Sequence, residues 1–222
     1  NTKKYSTLAA AMNAAQDGDT INILADITFD KVDGNYGKAL INVTKDDNFN
    51  LTINGNGHKI STGVVLSQID AQGAPYVPSI SIKSNGGSLI VDNVVMPENL
   101  KFNIYGTEAV PADSLTIQNC TMNGSILDYM EATKNITYDN NNFAVNKNQY
   151  KTKDNVYPVW YKMQNKAAVE SFTFTNNKVD FPRGIQLSHL PENMKIKVTG
   201  NTFDIHNEIR EKNSALMIGA GQ

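Results

Sequence analysis

The chain has 222 residues, a formal net charge of −2 and only two arginines, Arg183 and Arg210. That balance leaves no basic patch to hold phosphates, so nucleic acid is not an expected partner. The 40% hydrophobic content is enough for a core, yet no apolar run approaches the roughly 18 residues of a membrane span, so no transmembrane segment is expected.

The N-terminus carries the one clear helix signal. Ser6 is placed to cap a helix over Thr7 to Gln16, and Asp17-Gly18 supplies the stop. Tyr5, Leu8, Met12 and Ala15 fall on one apolar stripe. Ile21 to Leu24 and Ile27 to Phe29 then read as the first strands, separated by Ala25-Asp26.

Six segments that follow share one pattern: apolar, any, apolar, any, then Asn or Gly. They begin at Leu51, Leu89, Leu115, Ile136, Phe172 and Ile196, and their fifth residues are Gly55, Asn93, Asn119, Asn140, Asn176 and Gly200. The alternation predicts strands with one face buried. Asn and Gly share a tolerance of positive φ, so each strand is expected to end in the same left-handed bend. A strand and bend recurring at intervals of 38, 26, 21, 36 and 24 residues describes a solenoid, in which each unit buries its apolar face on the next. A second series, Ile80/Ile82, Phe102/Ile104, Ile126/Leu127, Val159/Tyr161, Ile185/Leu187 and Leu216/Ile218, interleaves with the first. Two strands per turn plus a less regular third side make an all-β parallel β-helix. One domain over 1–222 is expected, with a cap helix over 1–18, coils over 19–222, and inserted loops near 61–78, 106–113 and 144–157.

The residue after each bend is Asn at 56, 141, 177 and 201, with Val94 and Cys120 between. Inward asparagines stacked in this way bond the backbone of neighbouring coils, and Val94–Cys120 reads as an apolar step in that ladder. Cys120, the single cysteine, is expected to be a small buried hydrophobe, because a catalytic thiol would need a histidine partner that nothing signals.

Tyr5 to Ile21 (YSTLAAAMNAAQDGDTI) resembles the capping helix and first strand of right-handed parallel β-helix proteins of the pectin-lyase-like superfamily. Leu51 to His58 (LTINGNGH) resembles the coil that often follows it, and the Ile/Phe-x-Val/Phe-x-Asn/Gly units resemble its repeats. The resemblance covers most of the chain and implies a right-handed coil. It implies less about activity, because the superfamily holds lyases, hydrolases, phage tailspikes and non-enzymatic surface proteins.

A polysaccharide lyase of this superfamily needs a basic residue as its base and often a carboxylate cluster for calcium. The candidates here are Arg183, His189 and Asp180, with Asp204 and His206 nearby in sequence, and Asp180-Phe181-Pro182-Arg183 does not match the lyase signatures. A polygalacturonase-type hydrolase carries paired aspartates on adjacent coils and Gly-His-Gly, whereas here Gly57-His58-Lys59 departs from that pattern and reads as a turn. No metal site and no cofactor is expected.

Sugar binding needs only an aromatic platform and amides beside it. Tyr150, Tyr157, Trp160 and Tyr161 cluster beside the polar insertion that runs from Asn146 to Tyr157. Alternation places Val159 and Tyr161 on one face and Trp160 on the other, so burying the first pair turns the only tryptophan outward. The last strand, Ala215 to Ile218, is followed only by Gly219-Ala220-Gly221-Gln222, which suits continuation into a further domain or end-to-end pairing with another copy.

The expectation is therefore a non-enzymatic, secreted or cell-surface β-helix of bacterial type, an adhesion or carbohydrate-binding domain whose partner is a glycan or host surface. The alternative is a polysaccharide lyase or glycoside hydrolase acting on an acidic polysaccharide. A third reading is a structural, self-assembling subunit.

Overall fold

In the computed structural model, which describes residues 3–30, 39–69, 73–129, 132–145, 156–163, 168–205 and 214–219, the chain winds as a parallel β-helix of three-sided coils. The first face is a seven-stranded parallel sheet: Asp19–Asn22, Asn50–Asn54, Ser88–Asp92, Ala112–Gln118, Thr133–Asp139, Ser171–Thr175 and Lys195–Thr199. Its register aligns Leu51, Leu89, Leu115, Ile136, Phe172 and Ile196 in one inward rank, and Ile21, Ile53, Val91, Ile117, Tyr138, Phe174 and Val198 in the next. The repeat read from sequence is therefore the repeat of the structure, and both long intervals are loops. Leu51 pairs directly with Leu89, and Ile136 with Phe172, so no extra coil intervenes.

Just past the corner lies a second face of short strands. Ile27–Thr28 pairs with Ile60–Ser61. Val95–Met96, Thr121–Met122, Asn142–Ala144, Lys178–Phe181 and Thr202–Ile205 form a five-stranded sheet, and a Lys59–Val95 bridge links the two groups. The third face carries the second sequence series in two blocks. Ala39–Thr44, Ser79–Lys83 and Lys101–Tyr105 form one; Ile126–Asp128, Val159–Lys162, Ile185–Ser188 and Leu216–Gly219 form the other. The side that reads as irregular from sequence thus holds strands of two to four residues, too short for alternation to register.

The corners are left-handed at Asn93, Asn119, Asn140, Asn176 and Gly200, with φ of 53°, 54°, 54°, 56° and 70°. At the first of the six repeats the expectation fails. Gly55 does not take positive φ; the bend moves one residue on, to Asn56 and Gly57, at 50° and 77°. Gly55 is instead required by close approach, since a Cβ there would lie 2.3 Å from the Asn93 carbonyl oxygen and 2.7 Å from Val94 Cα. Gly55→Ala is expected to lower the urea unfolding midpoint by the equivalent of roughly 1–3 kcal/mol, the range for forcing atoms into a packed site.

The helix is Leu8–Ala14, shorter than expected, and its cap is Thr7 rather than Ser6: the Thr7 hydroxyl accepts from the Ala10 N–H at 3.1 Å. Leu8, Ala11, Met12 and Ala15 are buried against the first coils, while Tyr5 is 42% exposed and off the stripe. Lys45 closes the other helix end, its Nζ donating to the carbonyls of Asn13 and Ala15 at 2.8 Å each. A cation at a helix C-terminus satisfies unpaired carbonyls and complements the dipole.

Inside the coils runs an asparagine ladder. Asn141 Oδ1 accepts from the Cys120 N–H at 2.9 Å, while its Nδ2 donates to the Ile117 carbonyl at 2.9 Å. One coil on, Asn177 Oδ1 accepts from the Asn141 N–H at 2.8 Å and its Nδ2 donates to the Tyr138 carbonyl at 3.1 Å. Asn201 repeats the arrangement on the Asn177 N–H and the Phe174 carbonyl. Cys120 corrects the reading of an apolar step. Its Sγ accepts from the Val94 N–H at 3.4 Å and faces the Val91 carbonyl at 3.8 Å, the positions an asparagine side chain fills on the next coils. The thiol is thus a weak member of the polar ladder.

Candidate functional site

Three sequence candidates for catalysis stand apart. Asp180 lies on the second face, in register with Ala144 and Asp204, and is half-buried; Asp204 is exposed. Arg183 lies before the third-face strand Ile185–Ser188, with its guanidinium carbon 4.8 Å from the Tyr157 ring centroid and Nη1 donating to the Tyr157 hydroxyl. His189 lies beyond that strand as an exposed corner residue, at φ 58°, its N–H donating to the Gly219 carbonyl. An extended strand advances about 3.3 Å per residue, so the whole strand holds Arg183 and His189 apart. His206 lies outside the described residues.

Other titratable groups serve the fold. His58 is in a turn, its Nδ1 3.2 Å from Asp26 Oδ1, and the Lys59 N–H donates to the same oxygen at 2.9 Å. The Lys59 N–H first, and His58 second, hold the Asp26 carboxyl below the usual carboxylate range. Burial pushes the Cys120 thiol up to about 12, so it carries no thiolate at neutral pH. Among the described residues no group of three or more His, Cys, Asp or Glu is placed to hold a metal ion. No helix among them is long and apolar enough to cross a membrane.

The aromatic residues divide as strand alternation requires. Val159 and Tyr161 point into the coil, 0% and 1% exposed, and the Tyr161 hydroxyl is 2.6 Å from that of Tyr138. Tyr161 is therefore a core residue and offers no surface to a ligand. Tyr150 lies outside the described residues. Trp160 turns outward and is partly exposed. Tyr157 packs beside it, ring centroids 5.2 Å apart and planes inclined at 46°, but is itself buried, 4% exposed, so it supports the indole rather than offering a ligand surface as the sequence suggested.

Around Trp160 the third face supplies further contacts that the sequence did not reveal. Lys162, two residues on and so on the same side, holds its Nζ 4.4 Å from the indole centroid. Ala74 and Val77, from the excursion between the second and third faces, pack with Leu127, and Trp160 packs against that group. In register across the strands, Trp160 lies between Leu127 and Gln186, and Gln186 is followed by Met217. Two enclosed polar atoms here, Trp160 Nε1 and Gln186 Oε1, have no hydrogen-bond partner among the described residues. No carboxylate among the described residues lies within ion-pair distance of Lys162 or Arg183. The patch therefore combines an aromatic platform, one unused donor, one unused acceptor and two cations, each lying over a ring.

Comparison of the chain with protein-family models, with characterised proteins and with solved structures finds no match.

Proposed function

We propose that this chain is a non-enzymatic, extracellular or cell-surface β-helix domain that binds carbohydrate on the outer side of its third face, around Trp160. The observation that carries this reading is the outward indole with unpaired polar atoms beside it. Sugar rings present apolar C–H faces that stack on aromatic rings, and hydroxyls that pair with amide and indole groups. The platform stands on a strand rather than a loop, so its position is fixed by the coil beneath it. A secreted setting is supported by composition: 29 asparagines, two arginines and a single cysteine. Kinship with the pectin-lyase-like superfamily rests on the helix, the coil after it and the repeats.

The test is a glycan array probed with the full chain. Wild type is expected to bind, and Trp160→Ala to bind at least tenfold more weakly while keeping the far-UV circular dichroism of the folded coil, with a melting temperature lowered by the packing that the indole makes with Ala74, Val77 and Leu127. Absence of binding to any glycan or host surface would overturn the proposal. So would release of unsaturated product from an acidic polysaccharide, if that activity disappears in Arg183→Ala.

A further inference from the structure

Resting on the reading of Trp160 as a glycan platform, we infer that its ligand is a neutral sugar and that Lys162 is a displaceable cover over the site rather than a ligand contact. Trp160 Nε1 is a donor only, and Gln186 Oε1 an acceptor only. They belong to residues paired across adjacent strands, and neither has a hydrogen-bond partner among the described residues. A buried donor or acceptor left unmade is disfavoured, and native structures keep few of them. A hydroxyl satisfies both, accepting from the indole N–H and donating to the amide oxygen. A carboxylate or sulfate oxygen satisfies the indole but repels the amide oxygen, and an ammonium does the reverse.

Both atoms are closed off from solvent, so whatever reaches them must first displace a neighbouring group. Lys162 occupies the indole face itself, Nζ 4.4 Å from the ring centroid, and a sugar that stacks there must displace it. No carboxylate among the described residues anchors it and its four-carbon stem is flexible, so the contact seen to hold it among those residues is the cation–π one. A sugar ring that takes over the indole face releases the ammonium to water and brings its hydroxyl to the two unpaired atoms. Lys162 then competes with the ligand, which fixes the sign of its mutation.

The full chain is probed with gluco-, manno-, galacto- and xylo-oligosaccharides and, separately, with oligogalacturonate and heparin fragments. Binding of a neutral oligosaccharide is expected, weakened about tenfold in Gln186→Leu. It is expected to strengthen roughly two- to fivefold in Lys162→Ala, the equilibrium factor of one exposed cation–π contact. Trp160 is the only tryptophan, so quenching of its fluorescence by neutral acrylamide reports the cover without any ligand and should increase in Lys162→Ala. Gln186→Leu should melt no lower than wild type, because the oxygen it removes has no partner. Binding that is lost in Trp160→Ala but weakened in Lys162→Ala, or confined to the acidic set, overturns this inference and leaves the glycan reading standing. Failure of every oligosaccharide to bind wild type and Lys162→Ala alike overturns both.

Discussion

Asn177→Leu is expected to destabilise the fold by roughly 2–6 kcal/mol, because it strands two buried backbone groups at about 1–3 kcal/mol each. The Asn141 N–H loses its acceptor and the Tyr138 carbonyl its donor, and leucine of similar size leaves water no room to replace them. Asn177 is 1% exposed, and its neighbours in the ladder bond through it to the coils on either side. The contrasting variant is Asn140→Gly. That residue stands at an exposed corner with φ 54°, where glycine is at ease, so a change within about 1 kcal/mol is expected. Urea unfolding of both variants measures the difference. Equal midpoints for the two would show that the ladder holds nothing together.

Alkaline instability is the second large effect. Burial pushes the Cys120 thiol from 9.0 to about 12, and raises the Tyr138 and Tyr161 hydroxyls above 10.0. In the unfolded chain these groups ionise at their ordinary values, while the folded chain keeps them protonated. Above those values the unfolded state binds fewer protons, so stability falls as pH rises. Each such group contributes a slope of about 1.4 kcal/mol per pH unit. Loss should begin near pH 9 with Cys120 and steepen above pH 10 as the tyrosines join. In Cys120→Ser the onset moves to about pH 10, and in Tyr161→Phe the slope above pH 10 is shallower. A wild-type protein as stable to urea at pH 11 as at pH 8 would contradict the burial of all three.

Several features were legible before any coordinates, and each rests on a local rule. Strand alternation placed Leu51 and Ile53, and their five pairs of equivalents, inside. It also turned Trp160 out once Val159 and Tyr161 were taken as inward. The tolerance of asparagine and glycine for left-handed backbone located five of six corners, four at asparagine and one at Gly200. The sixth failed because a second requirement operates at Gly55. There the next coil's backbone comes too close for any side chain, and the bend is free to shift to Asn56 and Gly57. The cap moved from Ser6 to Thr7 for a similar reason: both residues can cap, and the packing of Leu8 and Met12 sets the helix frame.

The site was half legible. Trp160 and Tyr157 were found by type and proximity in sequence, and Tyr161 was grouped with them although its own alternation placed it inside. Gln186 gave no signal, since a lone glutamine 26 residues beyond Trp160 is unremarkable until the strands pair. Arg183 stood out as one of two arginines, and its contact with the Tyr157 ring and hydroxyl came only from the fold. The Cys120 thiol looked apolar because the sequence shows only what a residue is, not which backbone groups it faces.

The order of residues alone sets the coil: its period, its inward ranks, its asparagine and glycine corners and its all-β class. Those follow from the pleat and from backbone sterics, which act between residues a few positions apart. Which coil lies on which, and with it everything that joins residues 20 to 40 positions apart, emerges from the assembled fold. That includes the hydrogen bonds of the ladder, the closeness that Gly55 must permit, and the pairing of Trp160 with Gln186 across neighbouring strands. The physical reason is range, since hydrogen bonds and packing contacts reach only a few ångströms.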